Sequence, residues 1–369
     1  MIITIAGHYT TKIGELWESG LEDLAAEAVE GVLANSSINP KAVDAIFVAS
    51  KAAGSFNNQR HLNALVSGLF SHNPSAMRIE GACASGGLAL VAAEQFLLSG
   101  SAQTVLVLGV EKMTDLDVEE TTSVLSTAAD TNLEEGSTFP GLYALLAQAH
   151  ELKYGTSREM LSSVAVKNHR HAMENPLAHY HKEFILEQIS NSPLVADPLR
   201  LLDCSPISDG ASAVILTTKK VKQKTKIIGV GQGQDSLDLA GRSSLIKLKA
   251  TELAAKKAYD ISGQKPTAIE LAEVHDCFTI AEILAIEDLG FFSKGEGGKA
   301  TLEGKTDLGE RLVVNKSGGL KAFGHPVGAT GVKQLAYLAQ QIERGEGRLG
   351  LTHNVGGSGA TAVVHILSK

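Results

Sequence analysis

A few cysteines and histidines in tight, glycine-rich settings carry the bond-making chemistry available to this 369-residue chain. Cys83 stands in Gly81-Ala82-Cys83-Ala84-Ser85-Gly86-Gly87, just ahead of an apolar helical run. A thiol at a helix start meets the positive end of the dipole and unpaired N–H groups, which favour its thiolate. The small neighbours leave room for a substrate, although the same setting suits a cysteine packed as a small hydrophobe. His275-Asp276-Cys277-Phe278 follows the apolar run Ile269 to Val274, so a histidine and a second thiol sit where a strand turns into a helix. That end of a strand is where α/β proteins place their sites.

Gly324-His325-Pro326-Val327-Gly328-Ala329-Thr330-Gly331 holds a histidine between glycine and proline, too constrained to be filler. Histidine accepts a proton from a thiol near neutral pH, so His325 is the natural partner of Cys83. Asn354-Val355-Gly356-Gly357-Ser358-Gly359 is a further glycine-rich turn after a strand. Its free backbone N–H groups are suited to an oxyanion, or simply to a tight turn between strands.

The elements that position these residues alternate in type, which predicts α/β architecture. β-rich runs fall at Ile2–Ala6, Ala45–Ala49, Thr104–Val110, Ala213–Thr217, Lys226–Val230, Glu270–Val274, Arg348–Thr352 and Thr361–Leu367. Helical periodicity falls at Leu21–Leu33, Ala84–Leu98, Glu159–Ala172, Leu245–Tyr259 and Val332–Glu343. Asp115–Ser137, acidic and rich in Thr and Ser, reads as loop, and the chain from there to Ser192 as mostly helical, together an insertion between two α/β units. A weak repeat supports two units. GACASGGLAL leads through a helix to the strand TVLVLGV, and GHPVGATG leads through a helix to RLGLTHNV. Gly229-Val230-Gly231-Gln232-Gly233 lacks the third spaced glycine of a dinucleotide loop and reads as a strand end. The five lysines within Lys219–Lys226 read as a solvated linker.

Bulk properties narrow the function classes. At 369 residues, two or three domains are expected. A net charge of −8 with no basic domain excludes nucleic acid as the main partner. Cys83, Cys204 and Cys277 are too few and scattered for a disulfide framework or zinc knuckle, and free thiols fit a reducing cytoplasm. The first residues lack the basic start and apolar run of a signal peptide. No apolar stretch approaches the roughly 20 residues that span a bilayer, so a cytoplasmic protein without membrane partner is expected.

Taken together, these motifs resemble the thiolase family, within it the sterol-carrier-protein-type and archaeal branch. The resemblance runs over essentially the whole chain and includes Asp197 to Gly210 (DPLRLLDCSPISDG). It implies an α/β thiolase fold, five-layered αβαβα, built from two similar βαβαβαββ halves with an inserted, mostly helical loop domain. The implied boundaries are 1–114 and 198–222 for the N-terminal half, 115–197 for the loop domain on the coenzyme A-binding side, and 223–369 for the C-terminal half. Cys83 would be the acylated nucleophile, His325 the base that activates it, and Cys277 the acid/base for the substrate α-proton or leaving thiolate. His275 and His325 would polarise a thioester oxygen, and the N–H groups of Cys83 and Gly356 would form the second oxyanion hole. Better-known thiolases carry Asn-Glu-Ala-Phe where this chain has His275 to Phe278, and their second cysteine lies where this chain has Asn354. Cys277 supplies that thiol from a different loop, as in the sterol-carrier-protein type.

The implied activity is acyl transfer between coenzyme A esters: condensation of two acetyl-CoA to acetoacetyl-CoA, and the reverse thiolysis, through acyl-Cys83. The chemistry is sound on physical grounds. An α-carbanion of a thioester resembles an enolate, and one donor at its oxygen is worth about 3–4 kcal/mol. A covalent thioester splits the reaction into two easier halves. The alternatives are a degradative 3-ketoacyl-CoA thiolase of longer chains, a decarboxylating ketoacyl synthase and a non-catalytic scaffold. A second thiol argues against the synthase, and retention of Cys83 and His325 argues against the scaffold. No metal or cofactor is expected, coenzyme A thioester being the substrate. The resemblance also implies a homodimer or homotetramer. A biosynthetic role in the mevalonate route would add 3-hydroxy-3-methylglutaryl-CoA synthase, bridged by a small zinc-containing protein. The end at Lys369 leaves no room for a fused lipid-carrier domain.

Overall fold

The computed structural model describes residues 2–222 and 225–369, so Gln223 and Lys224 of the expected lysine-rich linker lie outside the described residues. The first unit runs β1 (Ile3–Thr10), α1 (Leu21–Ala34), β2 (Ala45–Ala49), the short α2 (Ala53–Phe56) and α3 (Leu62–Ser67), β3 (Ser75–Ile79), α4 (Ser85–Leu98) and β4 (Thr104–Glu111). An insertion follows with α5 (Val118–Ser126), α6 (Phe139–Tyr154), α7 (Arg158–Ala172), α8 (Leu186–Ser190) and the hairpin β5 (Leu194–Ala196) and β6 (Leu199–Arg200). The chain returns in β7 (Gly210–Thr217). The second unit runs β8 (Lys226–Gln234), α9 (Lys249–Ser262), β9 (Leu271–Glu273), α10 (Thr279–Asp288), α11 (Gly297–Leu302), β10 (Val313–Val314), α12 (Thr330–Arg344), β11 (Leu349–Gly356) and β12 (Thr361–Ser368).

The sheet order is β10-β9-β11-β12-β8-β1-β7-β4-β2-β3. Read outward from the β1–β8 join, both halves repeat one pattern: two antiparallel pairings, then two parallel ones. The faint repeat around α4 and α12 is thus a structural one. Helix α1 buries Leu21, Leu24, Ala25, Ala28, Val29 and Val32, a stripe at helical spacing, on the outer face of the first half. Helices α9 and α10 cover the outer face of the second. Helices α4 and α12 lie between the halves in one shared core with Ala89, Leu90, Ala93, Val332, Leu335 and Ala339, completing the five layers.

Glycines set how closely these layers approach. A Cβ on Gly231 would run into the carbonyl oxygen of Ala254, and one on Gly229 would lie 2.5 Å from that of Ala258. The glycine run of β8 is therefore strand interior under α9, not a strand end or nucleotide loop. Two other expectations change, and one strand was not foreseen. The acidic stretch after Asp115 contains α5, started by a capping box in which Asp117 accepts from Glu120 N–H at 2.8 Å. Helix α9 starts at Lys249 because Leu248 stays extended and gives its N–H to Asp288 at 2.8 Å. Edge strand β3 shows no apolar alternation because neither of its faces is well buried.

Gly231→Ala should cost roughly 1–3 kcal/mol or more, the usual penalty for overpacking a filled contact. Denaturant unfolding measures it, and an unchanged midpoint would show that α9 can retreat from β8.

Candidate active site

Cys83 lies on a turn between β3 and α4 that its own neighbours hold. Ala82 adopts a left-handed φ of 53°, a conformation that costs a non-glycine residue energy and persists only where the surroundings impose it. Ser85 imposes it: its hydroxyl donates to the Ala82 carbonyl at 2.6 Å and accepts from Gly81 N–H at 3.0 Å. The sulfur is thereby presented at the N-terminus of α4, half-buried, as the sequence position implies.

The second unit brings its motifs to the same place. His275 and Cys277 occupy the loop from β9 into α10. His325 follows the π-helical turn Gly319–Phe323 and precedes α12. Asp276, between the two, accepts N–H bonds from Leu320 (2.6 Å) and Lys321 (3.2 Å), so one carboxylate ties the two loops together. Glu111 at the end of β4 does the same across the units. It accepts from Gly328 N–H at 2.9 Å and from Ser50, Lys51 and Ala52 at 2.7–3.0 Å. The sulfur of Cys83 and one ring nitrogen each of His275 and His325 lie within 4.8 Å of one another. The imidazoles meet edge to face with centroids 5.0 Å apart.

Hydrogen bonds fix both tautomers. Thr330 spends its one hydroxyl proton on the Pro326 carbonyl at 3.0 Å, so at 2.7 Å it accepts from His325 Nδ1–H. Nε2 of His325 is then unprotonated and free to act as a base. Asn354 is oriented by Gly87 N–H, which donates to its Oδ1 at 3.0 Å. Its Nδ2 donates to the Cys83 carbonyl at 2.9 Å and to His275 Nδ1 at 3.3 Å. His275 therefore carries its proton on Nε2, which is buried and without a protein partner. An N–H in that state is a donor waiting for a substrate oxygen.

Burial governs the charges. It pushes the Cys83 thiol up to about 11, against the pull of Lys51 and the N–H of Gly357. It holds His325 down near 3, with Lys333 adding to the effect, and holds His275 well below the usual imidazole value. The resting pair is neutral thiol and neutral imidazole, so the helix-start position of Cys83 does not by itself make a thiolate. The sulfur's N–H neighbours are those of Gly357 and of Cys83 itself. Gly356, expected from the resemblance to form an oxyanion hole with Cys83, stands one position earlier at the end of β11, opposite Thr361 of β12. Gly357 turns there in the left-handed region, with φ 63°.

Cys83, Cys277 and His325 open on a cavity of about 330 Å³, walled by Leu125, Phe139, Tyr143, Ile207, Phe278 and Val327. Cys204 lines it as well, with its thiol raised to about 12 chiefly by burial.

Comparison with known proteins agrees with this geometry. Residues 3–220 match the family profile "Thiolase, N-terminal domain" and residues 231–369 match "Thiolase C-terminal domain-like". The chain belongs to the thiolase family. It is 42% identical to an acetyl-CoA acetyltransferase of Methanothermobacter thermautotrophicus, the match covering 100% of this chain and 99% of the relative. It is 41% identical to the protein of that name from Methanocaldococcus jannaschii, over 99% and 98% of the two chains. Human sterol carrier protein 2 is 33% identical over 92% of this chain and 66% of its own length. The fold is shared with a solved Ltp2-ChsH2(DUF35) aldolase at TM-score 0.85 and 23% identity, covering 100% of this chain and 97% of that one.

In this thiolase, Cys83, His275 and His325 come close enough to hold a metal ion. The Asn354 amide already occupies Nδ1 of His275, however, so its Nε2 keeps a proton and has no lone pair to give. The donor set suits an oxygen rather than a cation. Several contributors were not singled out from sequence: Asn354 as the hub, Thr330 behind His325, the carboxylates Asp276 and Glu111, and Tyr143 on the far side of Cys277. Of these, Asn354, Asp276 and Thr330 stand inside the motifs quoted above, though without these roles, and Glu111 and Tyr143 carry no sequence signal.

Because the resting thiol is protonated, iodoacetamide labelling of Cys83 should climb about tenfold per pH unit from pH 7 to 9 without levelling off, following the thiolate fraction. Peptide mass mapping reads the rate. A plateau below pH 8 would show a thiolate–imidazolium pair at rest.

Proposed function

We propose that this thiolase is an acetyl-CoA C-acetyltransferase that joins two acetyl-CoA into acetoacetyl-CoA, and cleaves it in reverse, through an acetyl group on Cys83. One observation carries the reading. A thiol stands between a histidine with a free lone pair (His325) and a histidine with a free N–H (His275), beside a second thiol (Cys277). The names of two relatives 41–42% identical over nearly their full length support the choice of acetyl-CoA.

The steps follow from the proton positions. His325 Nε2 takes the Cys83 proton as the sulfur attacks the thioester carbonyl. The N–H groups of Cys83 and Gly356 receive the charge that grows on the oxygen. As that intermediate collapses, Cys277 gives its proton to the departing coenzyme A thiolate. A second acetyl-CoA then loses an α-proton to the Cys277 thiolate. Nε2–H of His275 and of the now protonated His325 steady its enolate oxygen. The enolate carbon attacks the acetyl carbonyl on Cys83, and the Cys83 thiolate leaves and recovers its proton from His325. Every proton is returned, and no external oxidant, metal or cofactor enters. Asn354 has no basic atom near neutral pH, which leaves Cys277 as the α-proton carrier.

The same reading includes a homo-oligomer in the cytoplasm. Strand β3 is an open sheet edge with Met77 41% exposed, a surface suited to pairing with a second copy. Participation in the mevalonate route, with a synthase partner and a zinc-containing bridging protein, belongs to this proposal through the archaeal branch alone.

Incubation with acetyl-CoA should add one acetyl group, mapped to Cys83; label on Cys204 or Cys277 would overturn the assignment. Cys277→Ala should still acquire acetyl on Cys83. It should exchange the methyl protons of acetyl-CoA with deuterated water, and condense, roughly a thousandfold more slowly, the scale on which a positioned acid/base acts. Near wild-type condensation by that variant would move the α-proton to His275. Thiolysis measured from acetoacetyl-CoA to long 3-ketoacyl-CoA should peak at the shortest chain, and a peak at long chains would favour the degradative alternative.

A further inference from the structure

One buried amide of the insertion reaches the loop that carries His275 and Cys277. Asn168 is fully buried on α7, and its Nδ2 donates to Asp276 Oδ2 at 2.7 Å and to Glu282 Oε2 at 2.8 Å. Asp276 lies between His275 and Cys277 in sequence, and Glu282 lies in the first turn of α10, the helix that follows them. Both N–H groups of the amide are thus spent on carboxylates, while its Oδ1 is buried without a partner among the described residues. Turning the amide over would set that oxygen against two acceptors. An unmet carbonyl oxygen in a dry interior has a cost, and Asn168 bears it to keep its donors on the two acids.

The two acids need that donor. Both are fully buried, and like charges that share one nitrogen oppose each other. Glu282 has other help, from Lys167 Nζ on α7 and from Asn315 Nδ2 at 2.7 Å. Asp276 has less. Besides the backbone N–H groups of Leu320 and Lys321, Asn168 is its one hydrogen-bond donor among the described residues. The other charged groups that face Asp276 are engaged elsewhere. Glu273 on β9 accepts from Ser317, Lys321 Nζ on the π-helical turn donates to the Cys204 carbonyl, and Lys333 Nζ on α12 donates to the Gly324 carbonyl. Burial, and then Glu282, raise the Asp276 carboxyl to about 6. The packing leaves the carboxylate little room: a Cβ on Gly319 would run into it, and one on Gly318 would lie 2.6 Å from Ala172 Cβ on α7.

We propose that Asn168 is a positioning residue for the α-proton step: by bridging Asp276 and Glu282 it fixes the loop that presents His275 and Cys277, and so ties the insertion to the chemistry. Asn168 does not line the cavity; it acts through Asp276, whose neighbours in sequence on both sides are site residues. His325 is less dependent on it, because Ser208 Oγ holds the His325 N–H at 3.2 Å and Thr330 holds the ring. Acetylation of Cys83 relies on His325, whereas exchange of the acetyl-CoA methyl protons relies on Cys277 and His275. Loss of the bridge therefore weakens exchange more than acetylation.

The proposal rests on the acetyltransferase reading, and its test separates the two. Asn168→Asp keeps the shape of the side chain, deletes both donors and adds a third carboxylate; Asn168→Ala deletes the donors alone. Two rates are measured on the full-length enzyme with acetyl-CoA: acetylation of Cys83 by mass, and exchange of methyl protons with deuterated water by NMR. Relative to wild type at the same pH, the ratio of exchange to acetylation should fall about tenfold or more in both variants near pH 8, the scale of one hydrogen bond to a charged group. In Asn168→Asp the deficit should ease severalfold as the pH is lowered to about 6.5, because a carboxylate crowded by two others takes up a proton and becomes a donor. Asn168→Ala has no group to protonate there, and its deficit should not ease. Should Asn168→Ala fail to fold, the isosteric variant and its pH profile carry the test. A wild-type ratio in Asn168→Asp, or a deficit that acid does not ease, overturns the role of Asn168. If the wild type acetylates no cysteine, or Cys277→Ala exchanges normally, it is the acetyltransferase reading that falls, and this proposal with it.

Discussion

The site depends on a contact that only glycine permits. Helices α4 and α12 meet end to end between the two sheet halves, and a Cβ on Gly86 would lie 2.8 Å from Gly331 N and 2.9 Å from Val332 N. A Cβ on Gly331 would in turn collide with Gly87 N. With a side chain there the two N-termini would have to move apart. The glycines that follow Cys83 and His325 in sequence thus let the two motifs reach one point. Asn354 then locks the contact, since one amide binds Gly87, the Cys83 carbonyl and His275 together.

Two like units contribute unlike chemistry to that point. The first supplies the nucleophile on its glycine turn, and the second supplies both histidines and the second thiol. The insertion covers the site with α5 and α6, bringing Phe139, Pro140 and Tyr143 over the sulfurs. Cross-unit bonds from Glu111 to Gly328, and the Asp276 bonds to Leu320 and Lys321, hold the loops in register. These carboxylates sit in a dry interior at a cost, and the burial that lifts Glu111 and Asp276 above the ordinary carboxylate range shows it. Donors at close range offset that cost and make the loops rigid.

The same dryness sets the chemical strategy. A site that relied on a resting ion pair would need charges stabilised by solvent, and here burial raises the thiol and lowers both imidazoles. Charge therefore belongs to the reacting state alone, where preoriented N–H groups meet it with no water to rearrange. Selectivity between ground state and transition state follows from keeping the empty site neutral.

Much of this was legible in the sequence, because glycine-flanked motifs are local and their order along the chain is a fact of the chain. Cys83, His275, Cys277 and His325, the α/β alternation, the helical insertion and the faint repeat around α4 and α12 all stand there. Edge strand β3 and the capped α5 were missed, since a strand without a buried face shows no alternation and a polar helix looks like a loop. That Gly357 is the neighbour of the Cys83 sulfur in the last glycine-rich turn was not visible for a related reason: the path of a turn is decided by its backbone angles, and composition does not record them. Only the folded chain could show the tautomers and the Asn354 hub. Each depends on partners supplied by distant segments, and a proton's position is set by the neighbour that takes it, not by the residue that carries it.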